Sequence, residues 1–134
     1  MRRTVGAIIE HPEHGLLIQL RDDTVPKYPL HWSLFGGGVE EGESDDEALY
    51  RELDEELLLK KENIEEVKKL KVYNYSQYVQ TVYYVKITLH PENLVLNEGK
   101  DMMFVEDLKE VLDKLPFAFN IKEVLTDYHS EKQK

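Results

Sequence analysis

Glu52, Glu55 and Glu56 stand at i, i+3 and i+4 of one short segment, with Arg51 directly before them. On an α-helix, neighbours at these spacings lie within about 60° of each other, so the carboxylates gather on one patch. Three like charges repel. A bound divalent cation with oxygen ligands is the commonest reason for a fold to tolerate them. Such a cation neutralises phosphate oxygens and lowers the pKa of a bound water, which can then open a phosphoanhydride.

The elements that must position this patch are also legible. With Leu49 at zero, Leu53 and Leu57 fall near +40° and +80° on the helical wheel, a core-facing stripe about 100° wide. Glu56 near −20° and Glu52 near −60° sit on its shoulder, while Glu55 near −120° points further out. A carboxylate on that shoulder is partly desolvated, which is costly when it is unpaired. Ser44 is a good N-cap, and Glu47 completes a capping box. Asp45 and Asp46 suit the positive end of the helix dipole. The spacing predicts a helix from about Asp45 to Leu57. Before it, Gly36, Gly37 and Gly38 predict a turn whose backbone can approach a ligand closely. The plainer alternative is a solvated acidic face with Glu47 paired to Arg51.

Residues 37–59 resemble the Nudix box, G-x5-E-x7-R-E-U-x-E-E-x-G-U with U aliphatic. Gly37, Glu43, Arg51, Glu52, Leu53, Glu55, Glu56 and Leu59 match at the required spacing. Leu58 stands where the family has glycine, a position that ends the helix in a left-handed residue. Leucine there costs on the order of 1 kcal/mol, or the helix ends differently. Phe35 replaces a proline common before the glycine pair.

The resemblance implies an α/β fold, the Nudix α/β/α sandwich with a mixed sheet between helices. It implies a hydrolase that cleaves the pyrophosphate linkage of a nucleoside diphosphate joined to another moiety, with Mg²⁺, or Mn²⁺ in its place. dNTP, oxidised dNTP and nucleotide-sugar substrates are not separated by it. By position, Gly37 (through its carbonyl), Glu52, Glu55 and Glu56 are the expected metal ligands. Glu52 also has the alternative role of base. Arg51 and Glu43 pair to hold loop against helix. Glu98, in the loop Asn97-Glu98-Gly99, is the candidate general base or extra ligand. The expected catalytic set is therefore Glu52, Glu55, Arg51 and Glu98. For substrate, Arg21 and Lys27 are candidates for distal phosphates, and Trp32 and Phe119 for stacking on a base. Asn120 reads first as a helix N-cap and second as a contact to a base edge. The rival readings are a Nudix-like domain that binds a nucleotide without cleaving it, and a structural acidic domain without ligand.

The chain has 134 residues, with 41% hydrophobic, no cysteine and a net charge of −10. One domain over residues 1–134 is expected. The absence of cysteine excludes disulfides, zinc-thiolate sites and thiol catalysis. The acidic balance argues against nucleic acid and anionic membrane as partners. A cation would reconcile that charge with a phosphate substrate. The apolar runs are too short to span a bilayer, and no secretory signal is evident. The expectation is a cytoplasmic protein, monomer or homodimer, acting on a small nucleotide.

Along the chain, Thr4–Ile9, Gly15–Arg21, Trp32–Phe35, Lys71–Tyr75, Tyr78–Leu89 and Met102–Val105 read as strands. His11 and His14 read as solvated turn residues, and 22–31 as a surface loop. Glu62–Leu70 reads as a charged, partly helical connection. Glu106–Leu115 and Ile121–Tyr128 read as helices, and Glu131–Lys134 as a frayed end.

Overall fold

Strand β1 (Arg2–His11) carries the unbroken run Val5 to Ile9 because both of its faces are covered. In the computed structural model, which describes residues 1–133, β1 lies at the centre of a mixed seven-stranded sheet. It pairs in parallel with β6 (Tyr78–Ile87), and antiparallel with β2 (Gly15–Leu20) and β4 (Phe35–Gly38). The short β3 (Trp32–Ser33) and β7 (Asp101–Val105) both pair with β2. The far edge is β5 (Ile64–Asn74), antiparallel to β6.

Two apolar layers flank this sheet. Helix α1 (Asp45–Leu57) buries Ala48, Leu49, Leu53 and Leu57 against Val5, Ala7, Ile9, Phe35, Tyr83 and Val85. Each buried leucine there contributes roughly 1.5–3 kcal/mol. Helices α2 (Leu108–Leu112) and α3 (Ile121–Lys132) pack Leu112, Ile121, Val124 and Leu125 against Ile8, Ile18 and Val82 on the other face. Alternate β1 residues thus feed opposite layers, giving the expected α/β/α sandwich.

Helix α1 begins as its sequence predicts. The Ser44 hydroxyl accepts from the Glu47 amide, and the Glu47 carboxylate accepts from the Ser44 amide. Its first turn is then pinned to the sheet. Asp45 accepts from the Thr81 hydroxyl at 2.8 Å and pairs with Arg3, while Asp46 accepts from the Tyr83 hydroxyl. At its other end Leu58 takes the left-handed conformation (φ 52°, ψ 33°), and its amide bonds back to Asp54 and Leu53. The helix ends as a glycine would end it, with a side chain attached and 47% exposed.

Several expectations are corrected. The triple-glycine segment is not a turn but strand β4, paired with Thr4–Ala7. Glu62–Leu70 is helical only at its start: the 3-10 helix Lys61–Asn63 leads into β5, an edge strand whose many charges face solvent. His11 belongs to β1 and is only 5% exposed, packed beside His14 and Phe104. The helix expected over Glu106–Leu115 is confined to Leu108–Leu112. Helix α3 runs through Lys132, so Glu131 is helical; Lys134 lies outside the described residues. Among the described residues, no helix is long and apolar enough to cross a membrane.

Candidate active site

Helix α1 presents its acidic shoulder to β4. Glu56 is 4% exposed, and its Oε1 accepts the Gly36 amide at 2.8 Å. Burial, and next the Glu52 carboxylate, pushes the Glu56 carboxyl up to about 9; Glu98 and Glu55 add to the rise, and the Gly36 bond opposes it. Glu52 is raised as well, first by burial, with Arg51 acting against that. Gly37 lies directly below Glu52. A Cβ on Gly37 would stand 2.6 Å from Glu52 Oε1, so this approach requires glycine.

Arg51 is the hub of the loop. Its Nε and Nη2 donate to the two oxygens of Glu43 at 2.8 and 3.0 Å, and Nη2 also donates to the Gly38 carbonyl at 2.9 Å. Its Nη1 reaches Glu52 at 3.0 Å and Glu55 at 3.3 Å. The bidentate clamp holds the Glu43 carboxyl down at about 2, and the same partners raise the Arg51 guanidinium further. The clamp joins the loop after β4 to the middle of α1, as the motif match implies for this pair.

Glu98 arrives from a distant part of the chain. The Asn97 amide and its Nδ2 donate to the Glu56 and Glu55 carbonyls, each at 2.8 Å. Glu98 then contributes charge to both Glu52 and Glu56. The sequence singled out Glu98 as a candidate but not Asn97, whose local signal was the Asn-Glu-Gly turn.

The fold therefore brings Glu52 and Glu56 against the Gly36–Gly37 backbone, with Glu98 near enough for its charge to act on both carboxyls, while Glu55 stays half-exposed on the rim with Arg51. Among the described residues, no three His, Asp or Glu side chains are gathered as a ready metal cage. Their present partners explain this: Glu56 is turned to Gly36, and Glu52 and Glu55 to Arg51. The donor chemistry nonetheless fits a hard divalent cation. All the donors are oxygens, and among the described residues Arg51 is the cation paired with these carboxylates.

The substrate candidates form a second cluster. Arg21 is engaged within its own loop: Nε and Nη2 donate to the Lys27 carbonyl at 3.2 and 2.9 Å, and its guanidinium lies 5.0 Å from the Phe119 ring centre. Phe119 is 45% exposed, with φ 48°, and lies 4.7 Å from the Tyr28 ring, a partner the sequence did not single out. The Lys27 side chain is exposed. Trp32 is held in the α2/α3 layer, its backbone bonded to Pro116 and Ala118. Asn120 precedes α3 but does not cap it with its side chain. Its Nδ2 donates instead to Gln80 at 2.8 Å and Tyr75 at 3.2 Å. The competing sheet partners win over the local amides, and Oδ1 is left buried without a partner.

The NUDIX domain family model matches residues 1–128. A stretch of 56 residues is 45% identical to nucleoside triphosphatase NudI of Escherichia coli, covering 42% of this chain and 39% of that protein. The chain thus aligns with about two fifths of the length of the curated relatives it matches. Among solved structures, a MutT protein from Methanosarcina mazei Go1 superposes with a TM-score of 0.75 at 18% identity, over 99% of this chain and 96% of that one. The Escherichia coli dihydroneopterin triphosphate pyrophosphohydrolase gives 0.69 at 17% identity, over 94% and 93%. These likenesses concern the fold.

Proposed function

The chain belongs to the NUDIX family, and on that premise we propose that it is a divalent-cation-dependent pyrophosphohydrolase acting on a nucleoside diphosphate derivative. One observation carries the reading: a nearly buried carboxyl, Glu56, stands among Glu52, Glu98 and Glu55 against the open backbone of Gly36 and Gly37. A soluble structural domain gains nothing from burying acid beside acid.

Glu52, Glu55, Glu56 and the Gly37 carbonyl are the groups that would hold Mg²⁺ or Mn²⁺. When bound, that ion supplies charge neutralisation at phosphate oxygens and a more acidic water. The remaining work falls to the chain. Glu98, or Glu52, accepts the proton of the water that attacks phosphorus as the bridging P–O bond breaks. Arg51 and Glu43 keep the loop seated on α1 so that Gly37 stays beneath Glu52. Tyr28 and Phe119, braced by Arg21, offer an exposed aromatic surface on which a base can stack. The buried, unpartnered Asn120 Oδ1 would accept an N–H from a base edge. The chain's relatives, a nucleoside triphosphatase and a dihydroneopterin triphosphate pyrophosphohydrolase, agree by name with this substrate class.

The deciding assay is hydrolysis of a panel of dNTPs, oxidised dNTPs, ADP-ribose, nucleotide sugars and dinucleoside polyphosphates with Mg²⁺, then with excess EDTA. Cation-dependent cleavage of a phosphoanhydride is expected for at least one member. Turnover that persists in EDTA, or none on any member, removes the proposal.

A further inference from the structure

The sheet ends at β5, and no strand among the described residues pairs with its outer side. Most of its residues are exposed, Leu70 and Val72 among them at 40% and 43%. A long bare edge is a template for a further strand, so its sequence must either repel one or select one. Register shifts at Ile64/Glu66 and Lys69/Lys71 leave residues 66–69 as its regular stretch. Glu66 and Lys68 lie opposite Lys86 and Tyr84, on the α3 side, and the ion pair between them is loose at 3.8 Å. Val67 lies opposite Val85, on the α1 side. Lys71 is already paired with Asp127 of α3.

We propose that β5 pairs antiparallel with β5 of a second copy of this chain, about a two-fold axis at Val67, so that Glu66 of each copy meets Lys68 of the other. Pleat and symmetry leave few registers. Residues opposite each other in an antiparallel pair share a face, so the two-fold axis must pass through a residue that faces itself. An axis at Glu66, Lys68 or Lys69 sets like charges directly opposite, which destabilises the pairing. The axis at Val67 sets valine against valine and forms two Glu66–Lys68 pairs, with Glu65 and Lys69 next along the strands. The segment Glu65-Glu66-Val67-Lys68-Lys69 is thus complementary in charge to its own reverse. An edge built only to repel would carry one sign. The chain's net charge of −10 is not shared here, since residues 65–71 hold two acids and three lysines. The pairing is isologous and uses up the β5 edge of both copies, so it stops at a dimer. It involves neither α1 nor β4, and so stands apart from the proposed function.

The test is sedimentation of the purified chain from about 1 μM to about 1 mM. One strand pair buries little surface, so a dimer with a Kd on the order of 10–100 μM is expected. Glu66→Lys and Lys68→Glu each turn two attractive pairs into two repulsive ones, and each should weaken self-association at least about tenfold. Mixed in equal amounts, the two variants are expected to form a heterodimer at least as tight as the wild-type dimer. The exchanged double variant, Glu66→Lys with Lys68→Glu, should recover wild-type association. Both side chains are exposed, so the fold tolerates these changes. A wild type that stays monomeric at about 1 mM, single variants that dimerise as well as the wild type, or a mixture no tighter than either variant alone overturns the inference. Amide exchange reads the same edge without any variant. The outward-facing amides between residues 65 and 69 should exchange more slowly as the wild-type concentration rises. Rates that do not change with concentration overturn the pairing.

Discussion

The Gly36 amide donates to Glu56 Oε1 at 2.8 Å, which joins strand β4 to the most buried carboxyl of α1. Among the described residues it is the one hydrogen bond that opposes the burial pushing this carboxyl up to about 9. It ties the chemistry of the helix to the register of β4 on β1.

Glu56→Gln copies the protonated form. The folded pKa of Glu56 lies above its unfolded value, so its contribution to stability is fully present below about 4.5 and is lost as pH rises through about 9. In metal-free protein, the melting temperature of the wild type is expected to decline from pH 6 to 9 more steeply than that of the variant. Turnover of the variant should fall by at least about 10²-fold, and Mg²⁺ should no longer raise its melting temperature. Full turnover in Glu56→Gln contradicts the assignment.

Gly37→Ala tests the approach of Glu52 to the backbone. The added methyl meets a flexible carboxylate end rather than main chain, so the fold adapts while Glu52 is displaced. A loss of at least about tenfold in kcat with a melting temperature within a few degrees of wild type is expected. Equal losses of stability and activity would instead mean that β4 had shifted.

Leu58→Gly should stabilise the protein. A left-handed leucine costs roughly 1–2 kcal/mol, and the greater freedom of glycine in the unfolded chain returns part of the gain. The net expectation is about 0.5–1 kcal/mol, or roughly 2–4 °C in melting temperature. Chemical denaturation of both proteins checks it; a destabilised variant refutes the strain argument.

The clamp between Glu43 and Arg51 predicts acid behaviour. The Glu43 carboxyl is depressed to about 2 by the Arg51 hydrogen bonds, so its stabilisation is present above the unfolded value near 4.5 and is lost as pH falls through 2. Unfolding measured from pH 5 to pH 2 should therefore be steeper in the wild type than in Glu43→Gln. Parallel curves would show the clamp contributing nothing to stability.

Much of α1 was legible because its determinants are local. Ser44 and Glu47 cap within one turn, the 3.6-residue period sets which leucines are buried, and the same period places Glu52 and Glu56 on the shoulder. The motif spacing paired Arg51 with Glu43, and the sandwich followed from the family resemblance. Local rules failed wherever a strand partner or a distant side chain competed. Residues 64–70 have the charges of a solvated helix, yet pairing with β6 makes them part of an edge strand. Asn120 has the position of an N-cap, yet Gln80 and Tyr75 take its amide.

By itself, then, the sequence determined which carboxylates share a helix face and which glycines precede them, because both follow from covalent spacing. Only the tertiary structure decided that Glu56 is nearly sealed from water, that Arg21 braces Phe119 rather than reaching into solvent, and that Asn97 brings Glu98 to α1. Burial and hydrogen-bond partners are properties of segments brought together, and no spacing along one segment encodes which other segment will cover it.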